Sequence, residues 1–270
     1  MRRAAAPSVS GIPRRTGFFE TDGERLYYEA CGTGSPVVLC HGLGGNHAVW
    51  YQQVAALTRD HLVVSWDHRG FGRSTDRGER SGPGVASADL RALLDHLEIP
   101  RAHLVGQSMG GWTVLGLALE TPERVHRLVL ADSLGGITSP AIAALQPGGI
   151  SPPPAELGLH PALHPDFSAR EPERAHLYQM LGAMGNPDVP AIAGRLLACT
   201  HSEEEARSVA APTLFVVGDE DPLFPPPEIH AGAALLPDAR VVEIPTTGHS
   251  PYFESPKDWN KAVANFLSTP

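Results

Sequence analysis

Short, almost wholly apolar runs recur along the chain and alternate with longer segments whose apolar residues return every three or four positions. Runs without a polar face suit strands buried on both sides, and the 3.6-residue period suits helices laid over them. The runs predict strands at 36–40, 61–67, 102–107, 125–132, 213–218 and 240–244. The periodic segments predict helices at 47–57, 85–97, 109–120, 227–235 and 255–267. Ahead of them, residues 18–21 and 25–29 flank Asp22-Gly23, a dipeptide that accepts the left-handed backbone of a tight hairpin. The fold class that follows is α/β: a mostly parallel central sheet, an antiparallel N-terminal edge, and helices on both faces.

One stretch breaks the alternation. Residues 134–210 contain no convincing strand, are crowded with Pro, Gly and His near 147–165, and carry short helical patterns at 173–184 and 191–199. That is too long for a simple connection inside a compact domain, so it reads as an inserted helical cap. The core is then 17–133 with 211–270. Residues 1–16 read as a disordered leader, with arginines but no apolar segment of a secretory signal.

Composition narrows the function classes. The chain has 270 residues, 42% hydrophobic and 19% charged, enough for one large core with an insertion. A net charge of −9 without a basic cluster disfavours nucleic acid as a partner. No apolar run is long enough to span a bilayer, so no membrane partner is expected. Cys31, Cys40 and Cys199 are odd in number and lack metal-ligand spacing, as expected of reduced thiols in a cytoplasmic protein. His160 and His164 are four apart but have no third ligand near them, so neither a metal nor a cofactor is expected. The expected partner is a small-molecule substrate, bound by a monomer or homodimer.

The chemistry gathers in loops that follow strands, where ligands bind in open parallel sheets. Residues 104–111, Leu-Val-Gly-Gln-Ser-Met-Gly-Gly, place Ser108 at the apex of a strand–turn–helix. Gly106 and Gly110 relieve the crowding of such a turn, and the helix beneath favours negative charge beside the hydroxyl. A serine nucleophile needs a base, and the base needs an acid to fix its tautomer. His249 is the one histidine in the loop between the last strand and the terminal helix. Asp221, held before Pro222 after the 213–218 strand, is the favoured acid, with Asp219 and then Asp132 as alternates. The glycine-rich loop His41-Gly42-Leu43-Gly44-Gly45-Asn46 can turn backbone N–H groups toward a carbonyl oxygen, making the amides of Leu43 and Met109 the candidate oxyanion donors. Asp67 and Arg69 are expected to organise neighbouring loops. Candidate pocket residues are Gly42, Trp112, Phe167, Met180, Met184, Leu223 and Ser250. In the cap, Leu177, Leu181 and Leu197 are further candidates to face an apolar substrate.

Taken together, His41-Gly42-Leu43-Gly44, Asp67–Ser74, Gly106–Gly110, Gly218–Pro222 and Gly248-His249 resemble the α/β-hydrolase fold superfamily in order and spacing. The serine at 108 is similar to the carboxylesterase and enol-lactonase branch and unlike the aspartate-nucleophile dehalogenases and epoxide hydrolases. The resemblance implies that Ser108 attacks, His249 moves the proton, Asp221 orients His249, and an acyl-enzyme is hydrolysed by water. Hydrolysis of a carboxylic ester or lactone is the expected activity. The alternatives are carbon–carbon bond hydrolysis or acyl transfer by the same triad, and a ligand-sensing protein with slow turnover.

Overall fold

The computed structural model describes residues 9–145, 156–185 and 187–268. Strands β1 (Arg14–Thr21) and β2 (Glu24–Cys31) form the N-terminal hairpin, with Asp22 at φ 51° and Gly23 at φ 78° turning the chain. Both turn residues are left-handed, which matches the twist of the two strands they join. The hairpin starts at Arg14, not at Phe18. Arg14–Thr16 therefore leave the expected leader and join the sheet, while residues 1–8 lie outside the described residues. An edge strand exposed on one side has little apolar signal to announce it.

Next come β3 (Ser35–Cys40), a 3-10 turn (His47–Trp50), α1 (Tyr51–Leu57), β4 (His61–Trp66), α2 (Pro83–His96), β5 (Ala102–Gln107), α3 (Met109–Glu120) and β6 (Val125–Ala131). The cap region holds α4 (Pro140–Ala143), α5 (Phe167–Arg170), α6 (Pro172–Gly182), α7 (Val189–Ala198) and α8 (Glu203–Arg207). The chain then returns through β7 (Thr213–Gly218), α9 (Pro226–Ala233), β8 (Ala239–Ile244), α10 (Pro251–Glu254) and α11 (Pro256–Leu267). The sheet has eight strands in the order β1-β2-β4-β3-β5-β6-β7-β8, antiparallel at β1/β2 and β2/β4 and parallel beyond. Among the described residues, no helix is long and apolar enough to cross a membrane.

Two apolar layers hold the sheet, and the two-residue strand period divides each strand between them. In β3, Val38 and Cys40 join Leu90, Leu94 and Leu117 under α2 and α3, while Val37 and Leu39 join Trp50, Trp259 and Val263 under α1 and α11. Each large side chain so buried contributes about 2 kcal/mol of transfer free energy. The cap is fastened to the second layer through Leu163, Phe167, Ala175 and Leu181. Its polar ties are also specific: Asn46 Nδ2 donates to the Leu181 carbonyl at 2.7 Å, and Arg195 Nη1 to the Ser81 carbonyl at 2.6 Å.

Candidate active site

Ser108 lies between the last residue of β5 and the first of α3, with φ 49° and ψ −117°. A side chain in that region is strained by about 1–3 kcal/mol, and it persists only where the surroundings hold it. Here the end of β6 and the turn after it hold it: Ser108 N–H donates to the Ala131 carbonyl at 2.9 Å, and Ser133 Oγ donates to the Ser108 carbonyl at 2.8 Å. The glycines beside it are required by contact. A Cβ at Gly106 would sit 2.7 Å from Val114 Cγ2, and one at Gly110 would sit 2.7 Å from the Cys40 carbonyl carbon. Gly42 is equally close to the serine, since a Cβ there would lie 3.1 Å from Ser108 Cβ.

His249 is positioned from three directions. Its Nδ1 is 2.9 Å from Asp221 Oδ2, and both residues are buried. Asp221 is itself held, its Oδ1 accepting from Leu223 N at 2.8 Å and Phe224 N at 3.1 Å. The Phe224 ring stacks on the imidazole at 5.8 Å between centroids and 26° between planes. Gln107, next to the serine, donates from Nε2 to the His249 carbonyl at 3.0 Å, which ties the β5 turn to the histidine loop. Of the three candidate acids, Asp221 is the one bonded to the ring. Asp219 Oδ1 instead accepts from Thr247 N at 3.3 Å, and Asp132 Oδ1 from Gly218 N at 3.0 Å.

The 41–46 loop is set by its own histidine. His41 Nε2 accepts from His68 N at 3.0 Å, so the ring proton is on Nδ1, which donates to the Gly42 carbonyl at 2.8 Å. Gly45 N donates to the same carbonyl at 3.0 Å. In a trans peptide the next N–H points opposite to that carbonyl, so Leu43 N–H is turned away from the loop's own bonds. Met109 opens α3, and its N–H has no acceptor within the helix.

Burial drives the His41 imidazole down to about 4, and it holds neighbouring His68 well below its ordinary value of 6.5. Both rings are therefore neutral in the folded chain and readily protonated in the unfolded one. A depressed folded value gives stability that is present above pH 6.5 and lost as pH falls toward about 4. For His41 the full difference is about 3 kcal/mol. Urea unfolding at pH 7, 5.5 and 4.5 is expected to show this decline, and His41→Asn to flatten it by about one proton.

The loop after β4 has the organising role expected of it. Asp67 Oδ1 accepts from His47 N at 2.6 Å and Oδ2 from Arg73 N at 2.8 Å, while Arg69 makes a two-pronged pair with Asp89 at 3.0 and 2.7 Å.

The expected pocket residues divide. Trp112 donates to the Cys199 carbonyl at 2.9 Å and meets Phe224 edge-on at 6.2 Å, bridging cap and histidine loop. Leu223 is half-buried beside Asp221. Ser250 follows His249, is fully buried, and shares a 2.8 Å hydrogen bond with Tyr178 of α6. The other three differ in burial. Phe167 is 2% exposed and packs in the layer joining cap to core. Met180 and Met184 are each 51% exposed; Met180 lies off the buried side of α6, which carries Ala175 and Leu181, and Met184 lies past the end of that helix. Leu197, also expected to face substrate, is 78% exposed. Ile192 and Leu196, one helical turn apart, turn inward instead and pack with Phe71 and Met109 beside Leu43 and Trp112.

Sequence reasoning also missed Tyr178 and His160. The His160 ring meets Tyr178 edge-on at 4.9 Å and is pushed down to about 4 by burial and then by His249. Its Nδ1 accepts from Ala162 N at 3.1 Å, and His164 pairs with Glu220 at 3.1 Å, so each is occupied separately. Asp132, Asp221 and His249 form the one group among the described residues that could hold a metal ion. The 2.9 Å contact between His249 and Asp221 is a hydrogen bond that such an ion would have to displace.

This fold and this turn define a class. Residues 35–156 and 160–256 match the alpha/beta hydrolase fold family, and the chain belongs to it. It is 31% identical over 261 residues to the protein named "Putative carbamate hydrolase RutD" of Caulobacter sp. (strain K31), covering 90% of this chain and 96% of that one. A thermophilic esterase from Thermogutta terrifontis superposes with a TM-score of 0.78 at 27% identity, covering 94% of this chain and 98% of that chain. The enol-lactonase from Burkholderia xenovorans LB400 superposes with a TM-score of 0.79 at 25% identity, covering 94% and 100%. A hydrolase activity follows from the family and these relatives.

Proposed function

We propose that the protein is a serine hydrolase that opens a carboxylic ester or lactone of a small, largely apolar molecule through an acyl-enzyme. The observation that carries this is the 2.9 Å bond from Asp221 to His249 Nδ1, on a histidine tied by Gln107 to the serine's own turn. With the Nδ1 proton held by Asp221, the other ring nitrogen is the acceptor for the Ser108 proton. Ser108 Oγ then attacks the acyl carbon. The carbonyl oxygen becomes an oxyanion that accepts from Leu43 N and Met109 N. His249 returns its proton to the leaving alcohol, or to the ring oxygen of an opened lactone. Water attacks the ester of Ser108 by the same route and releases the acid.

The apolar residues beside this site, Ile192, Leu196, Phe71 and Trp112, favour an apolar acyl or alcohol group. The buried Cys40 thiol, pushed up to about 12 by burial, is inert and in keeping with a reducing cytoplasm. The chemistry calls for no cofactor and no partner beyond the substrate.

A substrate panel tests the reading. Short p-nitrophenyl esters and small lactones are expected to turn over at least a hundredfold faster than a matched aryl carbamate or a vinylogous diketone. Faster turnover of the carbamate or diketone, or none of the esters and lactones, contradicts it.

A further inference from the structure

Behind His249 lies a second carboxyl that the mechanism does not use. Asp132 follows β6 with φ 48°, a left-handed conformation for a residue with a side chain. Its N–H donates to the Val216 carbonyl at 2.8 Å and its Oδ1 accepts from Gly218 N at 3.0 Å, so two bonds to β7 hold it in place. It is 0% exposed, and Oδ2 has no hydrogen-bond partner among the described residues. One donor atom each from Asp132, Asp221 and His249 lie within 4.8 Å of one another.

A bare carboxylate oxygen in such a place is costly, and a second negative charge beside Asp221 makes it more so. Burial first, then the Asp221 carboxylate and Glu254, push the Asp132 acid well above the usual carboxylate range, against the pull of the Gly218 N–H. The groups around it are Asp221, His249 and Glu254, together with the phenols of Tyr178 and Tyr252, which Asp132 in turn helps to push up. None of these is a lysine or arginine. The surroundings therefore favour the neutral acid at Asp132, behind the Asp221–His249 pair.

We propose that Asp132 is a positioning residue and reserve acid for His249: buried beside Asp221 with its Oδ2 unbonded, it takes over the carboxylate role when Asp221 is neutralised. The proposal rests on the serine-hydrolase reading. When the Asp221 charge is removed, its like-charge repulsion is gone while burial and Glu254 still raise the acid, so the positive charge that His249 takes on with the serine proton is what draws Asp132 to ionise. Its proton leaves to solvent, and the new carboxylate has only a short gap to close to accept the Nδ1 proton. The emptied Asp221 side-chain volume provides room for that shift.

The comparison is between Asp221→Ala and Asp132→Asn/Asp221→Ala in the full chain. Asparagine at 132 keeps an acceptor for Gly218 N–H, so loop support is retained while the reserve charge is lost. Asp221→Ala is expected to lose about 10–100-fold in kcat with KM nearly unchanged, against about 10⁴-fold for a triad with a lone acid. Its acid limb is expected to move to the titration of Asp132, and the double variant to lose about 10⁴-fold. A readout independent of turnover is the downfield Nδ1 proton resonance of a carboxylate-bound imidazole. That resonance is expected to persist in Asp221→Ala and vanish in the double variant. If Asp221→Ala is as inactive as the double variant and also lacks the resonance, Asp132 is no reserve acid. If wild-type protein shows no Ser108-dependent turnover, the hydrolase reading alone fails, and the resonance still decides the role of Asp132.

Discussion

Ser108→Ala is expected to lower kcat/KM for a short p-nitrophenyl ester by about 10⁶-fold, with a melting temperature within a few degrees of wild type. The magnitude follows from triads in general, where loss of the nucleophile leaves only substrate binding and the oxyanion donors, about 10³–10⁴-fold over water. The small structural effect follows from the turn itself. Alanine keeps the Cβ that serine already carries at φ 49°, and the bonds to the Ala131 carbonyl and from Ser133 Oγ use backbone atoms of residue 108 that the substitution leaves alone. Steady-state kinetics with circular dichroism on one preparation separate the two effects. A loss below about a hundredfold would mean that another group attacks.

The second large effect is expected at Gly110. A Cβ there would lie 2.7 Å from the Cys40 carbonyl carbon and 3.0 Å from the His41 carbonyl oxygen, both backbone atoms at the root of the 41–46 loop. Neither can rotate away as a side chain could. The clash must be relieved by moving α3 or the loop, and the two candidate oxyanion donors ride on those elements. Gly110→Ala is expected to cost about 3 kcal/mol, the upper end of the usual range of overpacking, because the neighbours are rigid backbone. A displacement near 1 Å at the site is expected to cost a further 100-fold in kcat. Gly84→Ala is the matched control, in α2 with nothing within 4 Å of the added Cβ. It is expected to stabilise by about 0.5–1 kcal/mol, the ordinary gain of alanine over glycine in a helix. Thermal melts of both variants check the pair, and equal melting temperatures would contradict the contact argument.

The parallel strands were legible because strands covered on both faces have no polar side. Residues 102–107 and 213–218 match β5 and β7 at both ends for that reason. The edge strand β1 and the short helices α4, α5, α8 and α10 were not legible. Four or five residues cannot display a helical period, and an exposed edge carries little apolar contrast. At the site, position in a loop after a strand pointed to Ser108 and His249, while the proline at 222 favoured Asp221 over Asp219 in the same loop. The cap was harder. Its helices α6 and α7 were visible, but their phase was not. Met180 and Leu197 point outward while Leu181, Ile192 and Leu196 pack inward, a choice of face that packing makes and the apolar pattern does not. Tyr178 and His160 reach the histidine loop only through contacts between cap and core, which no local pattern records. Asp132, the second alternate for the triad acid, sits beside the pair, while Asp221 takes the ring.

The central claim is that Ser108, driven by His249, forms a covalent intermediate. Intact mass and peptide mapping after treatment with a fluorophosphonate test it most directly. One phosphonyl group per chain is expected, on the peptide containing Ser108, with none in Ser108→Ala and strongly slowed labelling in His249→Ala. Labelling at another residue, or ester hydrolysis by protein whose Ser108 stays unmodified, would contradict the account.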